Sequence, residues 1–206
     1  MNAHWPRRGL YLITPDDNDT ARLLACVEPV LGSAALLQYR NKSADRRLRL
    51  DQASALLAAC RARAVLLIVN DDADIAGAIG ADGVHLGEHD DDLETARRRL
   101  GDGAIIGVSC YDDLRRAEAA ATSGADYLAF GAFFASPTKP RARRASPVLL
   151  EQSRGFGLPL VAIGGITPDN GRGVVDAGAD LIAVISGVFD APDPVSAARE
   201  YAALFH

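Results

Sequence analysis

The residues best equipped for chemistry fall at the ends of short apolar runs. VLLIV (65–69) stops at Asn70, Asp71 and Asp72. QYRNK spaces Gln38, Arg40 and Lys42 two apart, so an extended chain turns all three to one side and Tyr39 to the other. GVHLGEHDDD offers His85 and then Asp90, Asp91 and Asp92, and IIGVS ends in Ser109. FGAFFASPTKP brings Ser136, Thr138 and Lys139 together, and AIGGITPDN supplies Gly164 and Gly165. LIAVI runs into Ser186 and Gly187. Cations with hydroxyls and amide donors suit a multiply charged oxyanion, which Arg grips with a fork and Lys meets as a point charge. Carboxylates suit a hard divalent cation such as Mg2+, which takes one or two of them and fills its remaining positions with phosphate oxygens and water.

Each group also has a plainer reading. Asn and Asp before a helix are caps, and three successive Asp residues favour a helix start. A histidine inside a strand can be a satisfied core residue, and Ser109 can cap a helix starting near Asp112. The charges of QYRNK can be a solvated strand end, and Arg141, Arg143 and Arg144 read as solvated loop residues. The plain readings weaken when the strand ends are taken as a set. Acceptors, donors, hydroxyls and glycines then stand together, and two anion sites imply two phosphorylated substrates.

The elements that must position these residues follow from the apolar runs 10–14, 35–39, 65–69, 83–86, 105–109, 127–130, 160–163 and 181–185. Amphipathic segments lie between them, as at 46–63, 92–99, 112–123 and 168–177. Nearly continuous apolar strands alternating with helices predict a parallel sheet covered by helices. Eight units in about 200 residues predict a single (β/α)8 TIM barrel domain over 1–206, in which chemistry sits at the C-terminal strand ends. An open doubly wound sheet is the alternative, but no G-x-G-x-x-G follows the first strand. The tripeptide Gly-Ala-Asp recurs at 80–82, 124–126 and 178–180, before every second strand. Gly is expected to end each preceding helix and Asp to turn the chain into the strand. The stretch 135–147, rich in Pro and Arg, reads as a loop.

Composition limits the partners. The chain has 206 residues, 49% of them hydrophobic, with 22 Lys and Arg against 27 Asp and Glu and a net charge of −5. That balance argues against general binding of nucleic acid or membrane surface. No apolar run reaches membrane-spanning length, and the N-terminal apolar stretch is too short for a signal peptide, so a cytoplasmic protein is expected. Cys26, Cys60 and Cys110 are too few and too scattered for a disulfide framework or zinc cluster, and are expected to be buried thiols, Cys110 near a pocket. A homo-oligomer is left open.

In order along the chain, QYRNK, VNDD, DGVHLGEHD, GVSCY, ASPTK, AIGGITPDN and AVISGVF resemble the thiamine phosphate synthase family, from LYLITP to the segment after the eighth strand. The ordered set is specific, although no single element is. The resemblance implies a (β/α)8 barrel that joins hydroxymethylpyrimidine pyrophosphate to a thiazole phosphate and releases pyrophosphate, with Mg2+ as cofactor. It implies that Gln38, Arg40, Lys42, Asn70 and Lys139 bind the pyrophosphate and that Asp71 and Asp90 hold the metal. His85 and Ser109 would line the pyrimidine pocket. Ser136, Thr138, Gly165, Ile185 and Ser186 would bind the thiazole phosphate. Lys139, Arg40 and Ser109 are the implied catalytic residues, Ser109 through a hydrogen bond rather than as a nucleophile. The implied mechanism is dissociative: pyrophosphate leaves, and the thiazole nitrogen captures a pyrimidinylmethyl cation.

The chain departs from the family pattern at three places. Ala135-Ser136 stands where the family has Pro-Thr, Pro140-Arg141 where an acidic residue often follows the lysine, and Glu88 where the family has Gln. Glu88 is not assigned as a ligand. A related thiazole tautomerase on the same barrel would not need the full set of Gln38, Arg40, Lys42, Asp71, Asp90 and Lys139. A non-catalytic thiamine-phosphate-binding module could dispense with the metal carboxylates.

Overall fold

The computed structural model describes Trp5 and residues 8–88, 92–135 and 144–206. Eight parallel strands close on themselves in sequence order: β1 (Gly9–Ile13), β2 (Ala34–Tyr39), β3 (Leu66–Asn70), β4 (Gly83–Leu86), β5 (Ile105–Tyr111), β6 (Tyr127–Gly131), β7 (Leu160–Ile163) and β8 (Leu181–Val184). The helices are α1 (Thr20–Val27), α2 (Arg46–Arg61), α3 (Ala73–Ile79), α4 (Leu93–Leu100), α5 (Leu114–Thr122), α6 (Pro147–Ser153), α7 (Pro168–Ala177), α8 (Ser186–Phe189) and α9 (Pro194–Ala203). The fold is the predicted (β/α)8 barrel rather than the open sheet, with strand bounds within about two residues of the apolar runs.

Both faces of each strand are covered, which is why the runs show little alternation. One face fills the barrel with Tyr11, Leu36, Ile68, Ile105, Tyr127, Val161 and Leu181. The other packs Leu10, Leu37, Leu67, Val84, Ile106, Leu128 and Ile182 against the helices. Tyr39 faces outward as expected, and its hydroxyl donates to Gln52 Oε1 of α2 at 2.8 Å. Cys60 and Cys110 are fully buried in this outer layer. Cys110 therefore belongs to the helix-facing core and not to a pocket, because it lies on the opposite side of β5 from Ser109.

The Gly-Ala-Asp repeat ties strands in pairs. Asp82 Oδ2 accepts from Leu67 N at 2.8 Å, Asp126 Oδ2 from Ile106 N at 2.8 Å, and Asp180 Oδ2 from Leu160 N at 2.9 Å. Each Asp thus binds the start of β4, β6 or β8 to the strand before it, which explains the recurrence at every second unit. The glycines do reverse the chain as expected, Gly80, Gly124 and Gly178 having φ of 69°, 90° and 120°.

Candidate functional site

The C-terminal strand ends gather the predicted polar residues at the mouth of the barrel. β2 ends at Tyr39, so only Gln38 projects from the strand itself, while Arg40 and Lys42 stand in the turn that follows. Thr14 holds that turn. Its hydroxyl donates to Arg40 O at 2.8 Å and accepts from Arg40 N at 2.9 Å. Asp16 ties both residues, accepting from an Arg40 guanidinium nitrogen at 2.9 Å and from the Lys42 backbone N–H at 3.1 Å. Asn41 is buried between them and turned away, donating to Asp17 O at 2.7 Å and Gln52 Oε1 at 3.1 Å. The buried Asn41 fixes the turn, and the two cations remain at the rim.

At the end of β3, neighbouring carboxylates divide two tasks. Asp72 is the cap of α3, accepting from Ile75 N at 2.9 Å, and it pairs with Arg49 at 3.2 Å. Asp71 does not cap. Its backbone takes a left-handed conformation, φ 62°, and its N–H donates to His85 O at 2.8 Å. Asp is among the few residues that tolerate this conformation. The turn aims the Asp71 carboxylate at Lys42, with Oδ2 3.4 Å from Nζ. Asn70 is the last residue of β3, in register with His85 of β4.

Inside the mouth, side chains from five strands form a continuous hydrogen-bonded chain. Gln38 Nε2 donates to the Tyr11 hydroxyl, Tyr11 meets the Tyr127 hydroxyl, Tyr127 meets His85 Nδ1, and His85 Nε2 meets Ser109 Oγ, each at 2.8 Å. His85 is therefore neither an isolated core histidine nor an open ligand. Ser109 does not cap α5, since Asp113 does, accepting from Arg115 N and Arg116 N. Arg116 instead clamps the rim from outside, donating to Ser109 O at 2.6 Å and Gly87 O at 2.7 Å. Burial pushes the Tyr11 and Tyr127 hydroxyls well above the usual tyrosine pKa, so both stay protonated and able to donate.

On the opposite side, Gly164 and Gly165 turn the chain after β7 with φ of 102° and 64°. A Cβ on Gly165 would lie 2.6 Å from Ala135 O and 2.7 Å from Phe134 O. The glycine therefore permits the β6 and β7 loops to lie backbone against backbone. Asn170 braces this turn by donating to Gly165 O at 3.1 Å and accepting from Thr167 N at 2.8 Å. Half-buried Ile185 and exposed Ser186 follow β8, where Ser186 begins α8. Ser136, Thr138, Lys139 and Asp90 lie outside the described residues, and Glu88 is exposed at the rim.

The model of the family described as thiamine monophosphate synthase matches residues 10–188. The chain belongs to the thiamine monophosphate synthase family. It is 61% identical over 198 residues to thiamine-phosphate synthase of Xanthomonas campestris pv. campestris, covering 96% of each chain. It is 52% identical to the Xylella fastidiosa protein of the same name, covering 97% of this chain and 85% of the other. Thiamine phosphate pyrophosphorylase from Pyrococcus furiosus superposes with a TM-score of 0.84 at 35% identity, covering 97% and 96% of the two chains.

Set in this family, the mouth contains several residues that sequence motifs did not single out. Tyr11 and Tyr127 lie within apolar runs and look like core, and Thr14, Asp16 and Arg116 lie beside the motifs. Their only signal was adjacency to polar strand ends. For a metal, the described residues bring no three His, Cys, Asp or Glu side chains together. Asp71 nevertheless presents a partly exposed carboxylate beside Lys42. A hard oxygen donor is the type of ligand that Mg2+ uses alongside substrate oxygens and water.

Proposed function

We propose that this chain is a transferase that joins hydroxymethylpyrimidine pyrophosphate to a thiazole phosphate, giving thiamine phosphate and pyrophosphate. The observation that carries this reading is the near-full-length likeness to proteins named thiamine-phosphate synthase. The mouth geometry agrees with it. Arg40, Lys42, Asn70 and Lys139 would bind the pyrophosphate, together with Gln38 from the inner wall. His85 and Ser109 would face the pyrimidine. Gly165, Ile185 and Ser186, with Ser136 and Thr138, would hold the thiazole phosphate, as loops after the seventh and eighth strands do in these barrels.

The reaction needs one bond broken and one formed. The carbon–oxygen bond to pyrophosphate breaks with its electron pair going to the leaving group, and the thiazole nitrogen lone pair closes on the resulting pyrimidinylmethyl cation. The nitrogen carries no proton, so no general base is required, and the protein's task is to stabilise charge. Cations and donors fixed around the departing pyrophosphate stabilise the charge as it develops, with Arg40 and Lys139 in that role. Asp71 and Asp90 would hold Mg2+, which when bound supplies neutralising positive charge to the pyrophosphate. Ser109 would orient the pyrimidine by a hydrogen bond. The site must also keep water from the cation. No helix among the described residues is long and apolar enough to cross a membrane, and the two charged substrates suit a cytoplasmic setting.

The test is direct. Protein, both substrates and Mg2+ are mixed, and thiamine phosphate and pyrophosphate are measured. Equal amounts of both products are expected. Folded protein that forms neither would overturn the reading, and interconversion of thiazole tautomers alone would assign an isomerase instead.

A further inference from the structure

With the Gln38 amide nitrogen turned to Tyr11, one sense of the hydrogen-bonded chain across the barrel gives every hydroxyl proton in it an acceptor. A tyrosine hydroxyl has one proton to give. Tyr11 faces a donor in the Gln38 amide, so among its described partners Tyr127 is the one that can accept its buried proton. Tyr127 accepts that proton and spends its own on His85 Nδ1. A neutral imidazole in this chain carries its proton on Nε2 and gives it to Ser109 Oγ. Ser109 accepts at one end of its hydroxyl and has its own proton left for a ligand. The residue at the far end of the chain, Gln38, thereby sets the hydrogen-bonding sense of the residue at the mouth.

The chain is also built to hold its middle member still. Tyr127 is fully buried, with Trp5 stacked at 5.0 Å and His85 at 5.5 Å. A Cβ on Gly107 would lie 1.8 Å from Tyr127 Cζ, so the phenol occupies the space that a side chain at 107 would fill. Gly107 is in register with both His85 and Tyr127, on the strand that also carries Ser109.

We infer that Tyr127 is a positioning residue for the pyrimidine substrate: through His85 it fixes the imidazole tautomer that makes the Ser109 hydroxyl a donor to a ring nitrogen of that substrate. The pyrimidine part of this inference rests on the reading given under Proposed function. The tautomer does not, because it is a property of the protein without ligand. A chain of opposite sense would make Ser109 an acceptor and favour an amino group at the same point.

Histidine nitrogen NMR on the ligand-free protein tests it, near pH 8 and so above the usual histidine titration, with the His85 signals assigned by their absence in His85→Gln. The expected wild-type pattern has the proton on Nε2 and a bare Nδ1. Tyr127→Phe removes the donor to Nδ1, and the His85 pattern should shift toward a mixture of tautomers. In the same variant the KM for the pyrimidine pyrophosphate should rise about tenfold, the size expected for one misdirected hydrogen bond, while the KM for the thiazole phosphate stays put. A purely structural role would lower the yield of folded enzyme and leave the tautomer and the KM ratio unchanged, which would overturn the inference. A wild-type protein with its proton on Nδ1 would also overturn it, whether or not Tyr127→Phe folds. Wild-type turnover separately tests the synthase reading, so the two can fail independently.

Discussion

Lys42 Nζ stands 3.4 Å from Asp71 Oδ2, at the point where the ends of β2 and β3 meet. The pair neutralises two residues that the family resemblance assigns to opposite charges, the lysine to pyrophosphate and the carboxylate to Mg2+. Lys42 is 60% exposed and Asp71 29%, so the pair is worth no more than about 1 kcal/mol and does not hold the barrel together. A metal-bound pyrophosphate, as proposed above, would offer each partner a stronger counter-charge, for which so weak a pair would be exchanged.

Asp71→Asn should therefore separate function from stability. Asn tolerates the left-handed backbone at φ 62° as Asp does. Unfolding free energy should change by less than about 1 kcal/mol. Turnover at limiting Mg2+ should fall about a hundredfold, roughly 2.7 kcal/mol of transition-state stabilisation, with partial recovery at high Mg2+. Near-wild-type activity at limiting Mg2+ would remove Asp71 from the metal site.

Gly165→Ala probes the other side of the mouth. A methyl group there meets Ala135 O and Phe134 O at 2.6 and 2.7 Å, and φ 64° adds backbone strain of about 1–2 kcal/mol. The β6 and β7 loops must move apart, which displaces the groups assigned to the thiazole phosphate. The KM for that substrate should rise at least about tenfold, with the KM for the pyrimidine pyrophosphate nearly unchanged. Equal effects on both would show that the two sites are not separate.

Asp126→Ala tests the repeat. The carboxylate accepts from Ile106 N, which lies on a buried strand, and from Arg97 at 2.6 Å. Removing it leaves a backbone donor and a guanidinium without that acceptor, at a cost of about 2–3 kcal/mol. Equilibrium urea unfolding should show this, and Asp126→Asn should lose less because its amide oxygen still accepts. A change under about 0.5 kcal/mol for Asp126→Ala would mean that the stitch between β5 and β6 contributes little.

The fold was legible in the sequence because parallel strands buried on both faces leave uninterrupted apolar runs, and helix starts leave Asp, Ser or Thr caps. The ring of polar strand ends was legible for the same reason, since polarity begins where burial ends. Finer assignments needed the closed barrel. Asp71 and Asp72 are chemically alike; the family resemblance singled out Asp71 for the site, and the left-handed φ at Asp71 with the Asp72 bond to Ile75 N gives the physical reason that Asp72 caps α3 while Asp71 faces Lys42. Tyr11 and Tyr127 lie 116 residues apart and read as core aromatics until closure brings their hydroxyls to 2.8 Å. The Gly-Ala-Asp repeat was visible, but its action was not, because the Asp bonds the preceding strand rather than its own. Cys110 was misplaced because a polar neighbour, Ser109, suggested a pocket when alternation along β5 sends the thiol outward.

That last correction carries its own prediction. Burial pushes the Cys60 and Cys110 thiols up to about 12. The thiolate is the reactive form, so near pH 8 only about one in ten thousand of either is reactive even before access is considered. Cys26 is half-buried, its thiol is also raised by burial, and it donates to Leu23 O at 3.1 Å. A disulfide reagent added to the native protein should label at most one thiol, slowly, and Cys26→Ser should abolish that phase. Denaturant should release all three. Raising the pH should speed labelling of Cys26 first, because the other two thiols are both buried and higher in pKa. Fast labelling of Cys110 in the native protein would instead place that thiol in an accessible pocket and would contradict the outward orientation of β5.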